Sequence, residues 1–318
     1  MGLTDRLKPI DSYQQAHPRL AFVVAVIKKF SDDGGGRLSA LLAYYAFFSI
    51  FPLLLVAVTL LGYVLKGDPT AQHNVLNSAL VDFPVVGPQI ERNVTSLHGS
   101  AAALVIGLVG ALLSGLGVTQ AAQEAFNRMW HVPVRERPDF LKSRIRGLLL
   151  LALLGVLSIA STLISGVAAS GASGTAGVVV GIALGLALNF ALFAIAFRVL
   201  TSRELTFAQI APGAAIAAAA FAVLQAASGY LVESKLKHAS ETYGTFGIVL
   251  GTLSFLYLAS RMMLIAAEVN VVRVDRLWPR SLFAPPLTAA DRKSLSGLAE
   301  VEERAEGQEI NVSFTRDS

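Results

Sequence analysis

Residues 176–197 read AGVVVGIALGLALNFALFAIAF, twenty-two positions without a charge and with one strongly polar side chain, Asn189. Coiled as an α-helix at 1.5 Å per residue, this stretch is about 33 Å long, enough to cross a hydrocarbon layer of about 30 Å. A helix on the surface of a soluble domain needs a polar face, and this one has none. It reads as a bilayer span.

Five more stretches have the same character, at about Leu38–Leu65, Gly99–Gln120, Gly147–Ala169, Phe207–Leu231 and Gly244–Val272. Gly171, Ser173 and Gly174 make a tight turn between the third and fourth. The expected fold is therefore all-α, a polytopic bundle of six transmembrane helices over residues 38–272. Bulk composition agrees. Charged residues make up 15% of the chain, hydrophobic residues 54%, and mean hydropathy is +0.59, against about 25% charged in soluble domains.

Basic residues fix the orientation. The arm before the first span has Arg6, Lys8, Arg19, Lys28, Lys29 and Arg37, and the connection after the second has Arg128, Arg135, Arg137, Lys142, Arg144 and Arg146. Arg198 and Arg203 follow the fourth span, and seven more lie beyond Val272, whereas the opposite side has only Lys66, Arg92, Lys235 and Lys237. Positive charge stays inside, so both termini are expected in the cytoplasm. The same distribution, spread over loops and ends, argues against a nucleic-acid partner despite a net charge of +4 and a pI near 9.4. Met1–Ile10 carries Asp5, Arg6 and Lys8 with no apolar run behind it, so the first span is expected to serve as the insertion signal. With no cysteine, disulfides, iron–sulfur clusters and thiol catalysis are excluded.

Two polar ends flank the bundle. In residues 1–37, Pro18–Phe30 is an apolar run too short to cross, flanked by Arg19, Lys28 and Lys29, and is expected to lie in the headgroup layer as an amphipathic helix with its lysines near anionic lipid. The Ser31–Gly36 cluster breaks it. Residues 273–318, with three prolines, many glutamates and little apolar content, are expected to be a disordered cytoplasmic tail. Between the first two spans, Ile90, Val94 and Leu97 share one face of a short helix.

Polar and small residues inside the spans point to where the helices meet and what they line. Tyr45, Ser49 and Pro52 fall at i, i+4 and i+7, and Pro52 cannot donate to the Phe48 carbonyl, which kinks the helix beside a hydroxyl pair. Gly107 stands in a small-residue stripe with Ala103, Ala111 and Gly115; Gly177, Gly181 and Gly185 form a second, with Asn189 one step further; Gly247 and Gly251 begin a third. Such stripes let helix backbones approach in lipid, within one chain, in an oligomer or around a lipid. The third stripe continues through Ser254 to Arg261 and Glu268. Arg261 lies about 25 Å down its helix from Gly244, in the inner half of the bilayer. There it either snorkels to a lipid phosphate or faces a phosphate-bearing ligand or coupling ion, with Glu124 or Gln225 as co-residents. Glu268 lies two turns below it, too far for a direct pair.

Ala43–Leu53, AYYAFFSIFPL; Phe126–Trp130, FNRMW, before a basic loop; Tyr243–Gly247, YGTFG; Leu256–Leu258; and Ala267–Asn270, AEVN, occur in an order that resembles the YihY/BrkB family of bacterial inner-membrane proteins. The likeness runs from Phe22 to Asn270. It departs from the family at Ala266, where glycine is frequent, and at Arg261. The resemblance implies a six-span plasma-membrane protein of the bacterial envelope, linked with envelope integrity, serum resistance and lipid transport. It also carries an old ribonuclease label. His17, His73, His98, His131 and His238 are scattered singly without metal-ligand spacing, and no phosphate-binding glycine loop ends in Gly-Lys-Ser/Thr, so neither nuclease nor ATPase chemistry is expected. The functional expectation is a non-enzymatic membrane protein with no cofactor and no metal. It acts on membrane lipid, moving a lipid or other amphiphile along Tyr45, Ser49, Pro52, Asn189, Gln225, Tyr257, Arg261 and Glu268. The alternative is a non-transporting scaffold whose arm, loop and tail bind partners.

Overall fold

The computed structural model describes residues 3–64, 101–153, 175–231, 237–283 and 285–315. Among them every regular element is helical: α1 (Leu3–Ala16), α2 (Pro18–Asp32), α3 (Gly35–Val64), α4 (Ala101–Met129), a 3-10 turn (Val134–Glu136), α5 (140–153), α6 (Thr175–Leu200), α7 (Phe207–Leu231), α8 (Lys237–Asp275) and α9 (Ala289–Glu300). Among the described residues three helices are long and apolar enough to cross a membrane, over Val179–Leu200, Phe207–Ser228 and Val249–Asp275. They are the last three of the six expected spans. Helices α3 and α4, of 30 and 29 residues, occupy the positions of the first two. The expected third span is described only as far as residue 153, and the short helix around Ile90 lies outside the described residues.

Helix α8 is the hub, packed on α7, α3, α2 and α4, while α3 also pairs with α4 and α6 with α7. Small residues set these contacts. A Cβ on Gly117 would come within 2.8 Å of the Tyr45 ring, and one on Gly110 within 3.2 Å of Pro52, so the face shared by Tyr45 and Pro52 packs on α4. Gly115 gives way to Leu151 of α5 in the same manner. The α6 stripe differs. Beside Gly181 and Gly185 lies open space, so among the described residues nothing fills the close approach they permit.

The buried core sits at one end of the bundle. Phe126 and Met129 of α4, Phe197 and Leu200 of α6, Ile210 and Ala214 of α7, and Leu264, Val271 and Val272 of α8 converge there, joined by Ala25, Val26 and Phe30 of α2. Each large side chain buried in that way stabilises by about 1.5–3 kcal/mol where water is the alternative. Elsewhere Val179, Ile182, Val223, Phe246 and Leu250 point outward, as lipid-facing side chains do.

The arm differs from the sequence reading in one respect. Pro18 opens α2 at a position where its missing N–H costs nothing, and Gly34, at φ 71°, ends it in the left-handed conformation that glycine adopts freely. The lysines, however, turn inward. Lys29 is fully buried and Lys28 is hydrogen-bonded, while Leu20, Val23 and Ile27 occupy the exposed face. The inner face of α2 therefore sets one buried charge, Lys29, among the buried apolar side chains Ala21, Ala25, Val26 and Phe30.

The tail overturns the expectation of disorder. Thr288 caps α9 with a reciprocal capping box to Asp291, the Thr-x-x-Asp signature of a helix start. Low apolar content implies disorder only where hydrophobic burial is the sole source of order. The segment is ordered by hydrogen-bonded charges, with Ala290, Leu277 and Val301 buried beside them.

Candidate functional site

Three charged side chains without solvent exposure meet where α2, α8 and the end of α4 converge. Lys29 Nζ donates to Asp33 Oδ2 and to the Met129 carbonyl at 3.0 Å, and lies 3.8 Å from Glu268 Oε2. Arg128 Nε donates to the Asp33 carbonyl at 3.2 Å. Among the described residues, neither Glu268 oxygen nor Asp33 Oδ1 accepts a hydrogen bond. Two carboxylates face one ammonium in a site closed to water, so Lys29 holds together three elements that would otherwise bury unpaired charge.

The two ends of the chain are clasped beside this triad. Arg280, 1% exposed, donates to Asp291 Oδ1 at 2.8 Å, Ser294 Oγ at 3.1 Å and Asp32 Oδ2 at 2.7 Å. Lys28 reaches Asp291 at 2.9 Å, and Asp11 accepts from Leu282 N and Ser281 Oγ. Burial pushes the Asp291 carboxyl up, but hydrogen bonds from Ser281 N, Arg280, Lys28 and Thr288 N outweigh it and hold the group well below the usual carboxylate range. The loop after α4 joins the clasp: Val134 N and Arg135 N donate to the Val301 and Glu303 carbonyls. Gly297 lies on His131, where a Cβ would come within 2.3 Å of Nδ1. Burial of that imidazole, with Lys29, Arg203, Arg280 and Lys293 nearby, pushes its pKa down to about 3.

Two buried asparagines tie the remaining helices to this end. Asn127 Oδ1 accepts from Ser202 N, beyond α6. Asn270 spans α7 and α8, its Oδ1 accepting from Gly213 N at 2.7 Å and its Nδ2 donating to the Ile210 carbonyl at 3.0 Å. Pro212 has no N–H for the Ala208 carbonyl, and Arg273 Nη1 supplies a donor at 3.0 Å.

Beside Asn127, between α4 and the start of α5, a cavity of about 250 Å³ opens among Gln120, Gln123, Glu124, Asn127, Arg137, Pro138, Phe140 and Ser143. Gln123 and Ser143 brace its wall with paired hydrogen bonds at 3.1 and 2.7 Å. Arg137 Nη1 pairs with Glu124 Oε2, its Nε donates to the Val132 carbonyl, and its Nη2 is buried without an acceptor among the described residues. Next to this polar mouth Phe140, Leu141, Ile145, Leu148 and Leu149 are exposed along α5.

The residues singled out in the sequence are spread more widely. Ser49 is buried and returns its hydroxyl to the Ala46 carbonyl at 2.7 Å, while Tyr45 and Pro52 rest on α4. Asn189, Gln225 and Tyr257 are half-buried on α6, α7 and α8, as are Gly177, Gly247 and Gly251, and Gly107 lies within α4. Arg261 is exposed, its guanidinium 5.7 Å over the Phe30 ring of the arm. Glu268 pairs with Lys29 instead. Among the described residues no hydrogen bond or ion pair joins Tyr45, Asn189, Gln225, Tyr257 and Arg261. Lys29, Asp33, Arg280 and Asp291 were not legible as a site; the Thr-x-x-Asp spacing of Thr288 and Asp291 is the signal that could have found the tail helix. Glu124 lines the cavity with Arg137, apart from Arg261.

Apolar helices with outward-facing aliphatic side chains, held at one end by buried charge, define a helical integral membrane protein. The family model described as Virulence factor BrkB matches residues 26–285, and the chain belongs to that family. It is similar to the Inner membrane protein YhjD of Escherichia coli (strain K12), 24% identical, with 80% of this chain and 81% of the relative covered. It is also similar to YfkH of Bacillus subtilis (strain 168), whose name calls it ribonuclease-like, 21% identical over 80% of this chain and 95% of the relative. No solved structure matches. Family and apolar helices together place the chain in the bacterial inner membrane.

Proposed function

We propose that the chain crosses the inner membrane six times with both ends in the cytoplasm, and that it supports the envelope by holding or moving a lipid or other amphiphile without enzymatic chemistry. The observation that carries the amphiphile reading is the cavity at Gln120, Asn127 and Arg137: a polar mouth beside the exposed apolar flank of α5 offers the two environments an amphiphile needs. Orientation draws on the basic residues, because Lys28, Arg128, Arg135, Arg203 and Arg280 all gather at the clasped end. A partner-binding scaffold has less support, since Glu302 and Glu303 already pair with Arg128 and Arg135.

Reconstitution into liposomes carrying a labelled phospholipid tests the reading. The full chain is expected to speed exchange between leaflets, and Gln120→Leu to slow it. Exchange no faster than in empty vesicles, across several envelope lipids, would remove the transport half of the proposal.

A further inference from the structure

We propose that the cavity between α4 and α5 binds the phosphoethanolamine head of a lipid, zwitterionic and carrying N–H donors, in preference to an anionic or quaternary-ammonium head. The inference rests on the amphiphile reading and specifies its ligand. Charge comes first. Arg137 and Glu124 cancel, so the lining offers one cation and one anion side by side rather than a positive pocket that would select an anionic head. Arg137 Nη2 is buried without an acceptor among the described residues, and a turn of the guanidinium toward the cavity gives it a phosphate oxygen in the charge-assisted geometry guanidinium favours. The ion pair uses Oε2 of Glu124, whose side chain is half-exposed, and leaves Oε1 to accept from a primary ammonium. A trimethylated nitrogen has no hydrogen to give.

Polar neighbours and size agree. Asn127 and Gln123 are 3% and 5% exposed, held rigidly by their bonds to Ser202 N and Ser143, and the Gln120 amide stands at the rim. A volume of about 250 Å³ falls below the ~300 Å³ from which drug-sized pockets start, so it admits a head and not the chains. The chains have a track outside: Phe140 and Leu141 are 71% and 67% exposed at the mouth. That flank assigns the head to a lipid rather than to a soluble phosphate ester.

Native mass spectrometry of the full chain tests the site. The detergent-solubilised protein is incubated with an equimolar mixture of phosphatidylethanolamine, phosphatidylglycerol and phosphatidylcholine of matched chains. Phosphatidylethanolamine is expected to be retained about tenfold over either competitor. Glu124→Gln, a surface change of equal size, removes the anion and frees Arg137, so the preference is expected to reverse toward phosphatidylglycerol. Equal retention of the three lipids, an unchanged ratio in E124Q, or retention of soluble glycerophosphoethanolamine as strong as that of the lipid would overturn the assignment. Leaflet exchange in liposomes without headgroup preference would remove this inference and leave the amphiphile reading standing. Phosphatidylethanolamine retention that responds to E124Q, without leaflet exchange, supports the site while removing transport.

Discussion

Lys29 shows how much of this fold depends on single charges. Its ammonium satisfies Asp33 and Met129 O and offsets Glu268, all in a space without solvent. Truncating one partner of such a buried cluster leaves the others uncompensated, at a cost of about 3–5 kcal/mol. Lys29→Met is therefore expected to lower the thermal midpoint of the purified protein strongly, whereas Lys142→Met, at an exposed lysine, leaves it unchanged; equal midpoints would contradict the role given to the triad. The sequence exposed Glu268, because a carboxylate in an apolar helix is conspicuous, but it hid Lys29. A lysine flanking a short apolar run looks the same whether it faces lipid phosphate or a buried acid, and only three-dimensional packing distinguishes them.

His131 adds a pH dependence at the same scale. Its folded pKa, about 3, lies below its ordinary 6.5, so below pH 6.5 the unfolded or undocked chain binds a proton that the docked one excludes. Docking stability is then complete above pH 6.5 and declines as pH falls toward about 3. Hydrogen exchange over residues 289–300, corrected for intrinsic rate, is expected to rise between about pH 7.5 and about pH 5, and His131→Gln to abolish most of that rise. Exchange independent of pH in the wild type would show that Gly297 does not rest on a neutral imidazole.

Among the elements, α7 and α8 approach closely at Gly213. A methyl group at Gly213 would lie 2.3 Å from the Ala266 carbonyl oxygen and 2.4 Å from Asn270 Nδ2, and backbone cannot yield as a side-chain tip can. Gly213→Ala is expected to destabilise by about 1–3 kcal/mol, read as a fall in the thermal midpoint, while Gly181→Ala, beside open space, is expected to be tolerated. The reverse order would mean that α6, and not α7, carries the close contact. Helix identity was legible because apolar length in a bilayer leaves few alternatives; the use of each glycine was not. Gly110 and Gly117 face α3 while Gly115 faces α5, a division set by helix rotation that small-residue spacing alone does not reveal. Asn270 was readable only as part of a resemblance, since its work is to satisfy backbone groups on the neighbouring helix α7.

At the scale of the molecule, arm, loop and tail form one clasp at one end of the helices. Removing the chain from Ala289 onward takes Asp291 from Arg280 and Lys28, so this truncation is expected to destabilise the membrane domain as well as the tail, with a lower thermal midpoint and faster proteolysis of α2. An unchanged midpoint would return the tail to the independent, disordered segment its composition suggested. That composition was misleading because the tail is ordered by charges whose partners lie some 250 residues earlier in the chain, a relation that local pattern does not carry.

The basic, clasped end of this integral membrane bundle is expected to face the cytoplasm. The chain has no cysteine, so single cysteines report position without background. Lys142→Cys, at an exposed site on the clasped end, and His73→Cys, on the expected opposite side, are to be treated with a membrane-impermeant maleimide in intact spheroplasts and in inverted vesicles. Position 73 is expected to be labelled in spheroplasts alone and position 142 in inverted vesicles alone. Labelling of position 142 from outside intact spheroplasts would contradict this orientation.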